Sequence, residues 1–308
     1  MLRCVNCSSG VAPRRVPTAS DIVSIVGDGT RLAVLGSPIA HSKSPALHAA
    51  AYGVLGLDWS FEAIELAERG VSEFFGGLDD AWRGFAVTMP LKRVVFDQVD
   101  HVDALAQRVG AINTLVCGQS ERWGFNTDVY GAEQALFELG VQAPRTAVVL
   151  GAGATASSVI VALANLGARV LTLVVRSEER AAGARSLAES LGMRVEVMGY
   201  TSVLDAAPDV IVSTVPSTAR FDADTLSTFV PAGLRRQVPL LDIAYGDAPS
   251  DIHAAWLASE SRAVSGLSML LHQAVQQVRI FATGDPNTLL PDEQEVVAAM
   301  RSALVGGF

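Results

Sequence analysis

Gly151-Ala152-Gly153-Ala154-Thr155-Ala156 directly follows the apolar run Thr146–Leu150 and opens an amphipathic segment, the strand–turn–helix context in which a glycine-rich loop holds a dinucleotide. Gly151 permits the tight turn and Gly153 lets the backbone approach a pyrophosphate. Ala156 keeps helix and sheet close, and the helix N-terminus offers free N–H donors with a partial positive charge. The competing reading of these six residues is a tight turn of any α/β protein. At the end of the next strand an NAD site places a carboxylate on the ribose 2′-hydroxyl; here the chain has Arg176, Ser177 and Arg180. Two guanidinium groups there would donate charge-assisted bonds to a 2′-phosphate, which favours NADP over NAD. The alternative pairs Arg180 with a helix neighbour and gives the ribose to Glu178 or Glu179, two acids that the dipole of a first helical turn also explains.

The elements that must position this loop are legible as short β-branched runs alternating with amphipathic segments, the pattern of βαβ units. Strands are expected at 31–35, 59–64, 83–88, 111–116 and Arg122–Phe125, with helices at 46–55 and 129–139. Pro90 reads as the first turn of a further helix. A second series follows a polar link at 141–145: strands at Thr146–Leu150, 169–175, 195–197, Val210–Ser213 and 239–243, with helices at 154–166 and near 178–191. Two terminal helices, 268–281 and 291–304, are amphipathic enough to return over the first series.

The chain has 308 residues, enough for two cores, and half of them are hydrophobic. A net charge of -9 argues against nucleic acid as a partner, because no overall basic field would steer a phosphate backbone. Mean hydropathy is +0.34, but no apolar run approaches the roughly 20 residues that span a bilayer. Residues 1–30 lack an apolar signal core and read as a disordered leader on a cytoplasmic protein. Of the three cysteines, Cys4 and Cys7 form a lone C-x-x-C without a second ligand pair, and Cys117 reads as a small buried hydrophobe; no metal is expected. His41 and His48 read as structural for the same lack of partners at ligand spacing.

Four polar clusters remain near strand ends of the first series. They are Gly36-Ser37-Pro38-Ile39-Ala40-His41-Ser42-Lys43-Ser44-Pro45, Val87-Thr88-Met89-Pro90-Leu91-Lys92, Gly110-Ala111-Ile112-Asn113-Thr114-Leu115 and Gly124-Phe125-Asn126-Thr127-Asp128. With Leu241-Asp242-Ile243-Ala244-Tyr245 and Gly266-Leu267-Ser268-Met269-Leu270-Leu271-His272-Gln273, in this order, the chain from about Leu32 onward resembles the shikimate dehydrogenase family. The resemblance implies a two-domain α/β protein. An α/β substrate-binding domain would take 31–127 and 266–308, with the C-terminal helices returning to it, and a Rossmann-type NADP-binding domain would take 128–265. It implies NADPH-dependent reversible reduction of 3-dehydroshikimate to shikimate by a monomer or homodimer. Lys92 and Asp128 would be the catalytic pair, and Ser42, Ser44, Thr88, Asn113, Tyr245 and Gln273 would hold the ring substituents. The cofactor contacts would be residues 151–156, Arg176, Ser177, Arg180, Gly266 and Met269. Ala154 stands where the family usually has a third glycine, Val175 where an asparagine is common, and Gly246-Asp247-Ala248-Pro249 departs from the usual sequence after the tyrosine.

Reducing a ring ketone builds negative charge on oxygen, which a Lys92 ammonium would stabilise and protonate. Taken singly, Lys92 reads as a solvated lysine, Asp128 as a helix N-cap, Asn113 as a turn residue, Ser42 and Ser44 as caps and Gln273 as a surface residue. Quinate or aminoshikimate as substrate, or a regulator that binds NADP and a metabolite without turnover, are the other readings of the same residues. A neutral Lys92 is needed to accept the proton in the oxidation direction. The oxidation rate is therefore expected to rise from neutral to alkaline pH, and a flat profile with chemistry limiting would remove Lys92 from the role.

Overall fold

Two apolar strand series, at 30–125 and 146–265, build two six-stranded sheets. The computed structural model describes residues 29–204, 206–216, 219–246 and 248–305. The segment read as a leader lies outside the described residues up to position 28, with Cys4 and Cys7; so does Asp247.

In the first sheet β1 (Thr30–Gly36) lies parallel between β2 (Trp59–Glu65) and β3 (Trp82–Val87). Leu32, Ala33 and Leu35 have no exposed surface, as expected of a strand covered on both faces. The sheet continues beyond β3 through β5 (Thr114–Cys117) and β6 (Arg122–Phe125) to β4 (His101–Val102) at the edge. β5 is antiparallel to both β3 and β6, so this sheet is mixed. Helices α1 (Ser44–Leu55), α2 (Val71–Gly76) and α3 (Ala104–Val109) occupy its connections.

After α4 (Asp128–Glu138) the second sheet is wholly parallel. Its strands are β7 (Thr146–Leu150), β8 (Val170–Val174), β9 (Arg194–Met198), β10 (Val210–Ser213), β11 (Leu240–Asp242) and β12 (Ala263–Ser265), in the order β9-β8-β7-β10-β11-β12. This is the doubly wound arrangement that reverses direction between its first and fourth strands, leaving a crevice at their carboxyl ends. The connecting helices are α5 (Ala154–Asn165), α6 (Glu178–Ser190), α7 (Ala223–Phe229), α8 (Ala232–Arg235) and α9 (Asp251–Ala258).

The chain then returns. From α10 (Gly266–Thr283), Leu271, Val275, Val278 and Phe281 share one core with Leu32, Leu47, Val116 and Phe125, and α11 (Glu293–Val305) adds Val296 and Met300. Within that core His48 is stacked on Phe61 at 3.9 Å. Burial holds its imidazole down at about 3, so it is neutral, between the Tyr52 hydroxyl at 3.1 Å and Gln277 Oε1 at 3.3 Å. At the far end of α4, burial raises the Glu138 carboxyl, but hydrogen bonds from Ser268, Arg301 and His272 outweigh it and hold the group at about 2. That cluster ties α4 to both returning helices.

One expected element is absent: no α-helix follows Pro90. The chain turns, and a short 3-10 segment, Val94–Gln98, comes after. The Lys92 carbonyl, which an α-helix would use internally, accepts instead from Ile112 N–H at 2.8 Å. Elements of two to eight residues, such as α2, β4 and α9, carry too few residues to display a period.

Helices α4 and α10 approach closely at Gly131, where a Cβ would lie 2.7 Å from the Met269 carbonyl oxygen and 2.9 Å from Gln273 Cβ. Two effects oppose each other in Gly131→Ala. Helix propensity favours alanine by about 1 kcal/mol, whereas overpacking against backbone costs about 1–3 kcal/mol. Because the clash is with the facing backbone, the variant is expected to lose about 1–2 kcal/mol in urea denaturation; a gain in stability would show that the helices can part without cost.

Candidate active site

Asp128 is the first residue of α4, and its carboxylate does not cap the helix. The side chain of Asn126 takes that part, its Oδ1 accepting from Val129 N–H at 3.2 Å. Asp128, only 4% exposed, is thereby free to accept from Lys92 Nζ at 2.6 Å through Oδ2 and from Asn113 Nδ2 at 2.8 Å through Oδ1. Asn113 is held in turn: its Oδ1 accepts from Thr127 N–H and Thr114 Oγ1, and its amide also donates to Thr127 Oγ1. From α10, the Gln277 amide donates to the Asn113 carbonyl at 3.0 Å and to Thr114 Oγ1 at 3.1 Å. A buried carboxylate with both oxygens occupied, a lysine and a locked amide thus meet at one point.

That point lies on the wall of an inner cavity of about 380 Å³. Ser42, Ser44, Thr88, Lys92, Asn113, Asp128, Tyr245 and Gln273 all line it. Burial pushes the Tyr245 phenol up, so at neutral pH it is an uncharged donor and acceptor. Ser42 Oγ accepts from Ser44 N–H at 3.3 Å, but neither serine caps α1, whose N-cap is Lys43. Glu65, at the end of β2, holds the preceding loop by accepting from Ser37 Oγ at 2.5 Å and Ile39 N–H at 2.9 Å.

A larger outer cleft of about 590 Å³ opens over the second sheet. Gly151, Ala152, Gly153, Ala154, Thr155 and Ala156 line it, with Arg176 just after β8 and Arg180 in the first turn of α6. Gly151 has φ +101°, which a side chain rarely adopts, and a Cβ there would lie 2.5 Å from Thr214 Oγ1. The N-terminus of α5 has no side-chain cap, so its N–H groups are available to an anion. These donors and the two guanidinium groups fit a dinucleotide bearing a 2′-phosphate. The two spaces share Thr88, Met89, Lys92 and Thr155 in their walls, so they adjoin beside Lys92.

The chain was compared with known proteins. The family model for the shikimate dehydrogenase substrate binding domain matches residues 34–115, and that for shikimate / quinate 5-dehydrogenase matches 133–270. The shikimate dehydrogenase (NADP(+)) of Rubrobacter xylanophilus is 34% identical over 290 residues, 92% of this chain and 98% of the relative. The chain belongs to the shikimate dehydrogenase family. Among solved structures, Mycobacterium tuberculosis shikimate dehydrogenase superimposes with a TM-score of 0.75 at 37% identity, over 89% of this chain and 99% of the other. The Thermus thermophilus shikimate 5-dehydrogenase, solved in complex with NADP(H) and shikimate, does so at 0.73 and 31%, over the same shares.

Three residues assigned to the cofactor fall elsewhere. Gly266 and Met269, on the first turn of α10, line the inner cavity rather than the outer cleft, and Ser177 lies in neither wall but at the position before α6. Conversely, sequence reasoning passed over Thr214, Tyr200 and Arg93 in the outer wall and Gln277 in the inner one, where His41, read as structural, also stands. Thr214 had a signal, since it follows a strand of the parallel series; its hydroxyl donates to the Leu150 carbonyl at 2.8 Å and fixes the glycine turn. Gln277 had none, because a glutamine one helical turn after Gln273 is an ordinary helical residue. Among the described residues no cluster of three or more His, Cys, Asp or Glu is placed to hold a metal ion, and no helix is long and apolar enough to cross a membrane. Cys117 is buried, its thiol pushed up to about 12 by desolvation.

Replacing Lys92 with alanine removes the one ammonium at the meeting point of the two spaces. Dehydrogenase turnover is expected to fall by about 10² to 10⁴, roughly 3 to 5 kcal/mol of barrier, with dinucleotide affinity retained. Full activity in Lys92→Ala would exclude it as the proton donor.

Proposed function

We propose that this chain is an NADP-dependent shikimate dehydrogenase that reversibly reduces the ketone of 3-dehydroshikimate. The observation that carries the reading is the Lys92–Asp128 pair, buried where the inner cavity meets the dinucleotide cleft. In this reading residues 31–127 and 266–308 form the substrate domain and 128–265 the dinucleotide domain. The family membership and the names of the relatives support both the substrate and the cofactor, and the family reading supports a cytoplasmic location.

The bound nicotinamide would supply or accept the hydride. Lys92 spends one N–H on Asp128 and keeps two for the substrate oxygen, stabilising charge that develops there and donating the proton. Asp128 orients the ammonium, and Asn113 orients Asp128, so neither group must reorganise as charge develops. Ser42, Ser44, Thr88, Tyr245 and Gln273 would read the ring hydroxyls and carboxylate. Arg176 and Arg180 would hold the 2′-phosphate.

A spectrophotometric assay at about 340 nm, offering shikimate, quinate and aminoshikimate with NADP+ and then with NAD+, tests this directly. Turnover of shikimate with NADP+ is expected. Preference for quinate or an amine would move the substrate assignment, and silence with intact NADP+ binding would make the chain a metabolite-binding regulator. Arg176→Gln is expected to weaken NADP+ by about tenfold or more and leave NAD+ nearly unchanged; equal losses would remove Arg176 from the 2′-phosphate site.

A further inference from the structure

Three guanidinium groups line the outer cleft: Arg93, Arg176 and Arg180. Among the described residues none of these three side chains has a hydrogen bond or ion pair. The chain carries 32 acidic residues against 23 lysines and arginines. Three arginines left unpaired around one cleft of so acidic a protein mark the place where an anion is to be met. Arg176, just after β8, and Arg180, in the first turn of α6, stand with Tyr200 on the wall that would take the 2′-phosphate. Arg93 stands on the other wall. It belongs to the turn after β3, immediately follows Lys92, and is exposed. Ile112 N–H fixes the backbone of that turn through the Lys92 carbonyl, while the long Arg93 side chain remains free to reorient.

A dinucleotide has three places for such a charge to act. The nicotinamide end would lie next to Lys92 and Thr155, where the two spaces meet. The adenosine end already has two arginines. Between them the pyrophosphate would lie on the uncapped α5 N-terminus, whose N–H groups would meet only the face turned toward the loop. We infer that Arg93 is a pyrophosphate-binding residue that covers the outer face of the phosphates from the substrate-domain wall. The inference rests on the dinucleotide reading above. It has a mechanical consequence: cofactor phosphates would draw on the same turn that carries Lys92, so that filling the outer cleft holds the proton donor against the inner one.

The pyrophosphate is common to NADP and NAD, whereas the 2′-phosphate is not, and this separates Arg93 from Arg176. Dissociation constants of NADP+ and NAD+ are measured by titration calorimetry on the full chain, for the wild type, Arg93→Gln, Arg93→Lys and Arg176→Gln, with no substrate present. Arg93→Gln is expected to weaken both dinucleotides by the same factor, about tenfold, as loss of one charge-assisted bond should, and Arg93→Lys to recover part of that loss. Binding unchanged in Arg93→Gln overturns the inference, and so does a loss confined to NADP+, which would place Arg93 on the 2′-phosphate. A wild type that binds neither dinucleotide overturns the cofactor reading itself, and the inference with it. Because Arg93 is exposed and its side chain has no hydrogen bond or ion pair among the described residues, its variants are expected to retain the fold.

Discussion

Asp128 is a carboxylate almost withdrawn from water, and a charge so placed must be answered by charge and hydrogen bonds or it destabilises the chain by several kcal/mol. Lys92 and Asn113 answer it, one from the turn after β3 and the other from the approach to β5. Those two segments are neighbours because β3 and β5 pair antiparallel, Ala86 facing Thr114. The mixed first sheet therefore brings lysine and amide side by side, and the start of α4 delivers the acid to them. Gln277 then secures Asn113 from a third direction, through its carbonyl and the Thr114 hydroxyl.

The same helix serves the other half of the site. From Asp128, α4 runs between α10 and α5, packing closely on α10 at Gly131 and bonding to α5 through Glu133 Oε1 and Asn165 Nδ2 at 2.8 Å. It leads on to β7, whose end carries the glycine turn at the switch point of the second sheet. The Lys92–Asp128 pair and the glycine turn are thus set by one helix, and Thr155 and Lys92 come to share a wall. The Glu138 cluster pins the far end of α4, so the helix cannot swing about Asp128 without breaking bonds from Ser268, His272 and Arg301.

Much of the fold was legible because its inner strands are buried on both faces and its longer helices are amphipathic. Thr146–Leu150, Arg122–Phe125 and Val210–Ser213 have the bounds that their β-branched and aromatic runs suggest. The helix expected after Pro90 shows the limit of local rules. Proline is compatible with a first helical turn, but a carbonyl claimed by Ile112 from across the sheet decides otherwise. At the site, each residue alone had an ordinary reading, and for Asp128 the ordinary reading was a cap. The structure gives the capping bond to Asn126, two positions earlier, which frees the carboxylate.

What the amino-acid sequence determined by itself was the βαβ rhythm, the glycine loop in its strand–turn–helix setting, the arginines where an acid would mark NAD, and the ordered motifs of one family. All of these are local, or are sums of local patterns, and period, turn chemistry and charge are written in adjacent residues. Only the tertiary structure decided which residues share a cavity: that Gly266 and Met269 face the inner space, that Arg93 faces the outer one, and that Gln277 reaches Asn113. Those placements depend on strand order, helix crossing and the return of α10 over the first sheet. They join residues more than a hundred positions apart, and no local periodicity records such a contact.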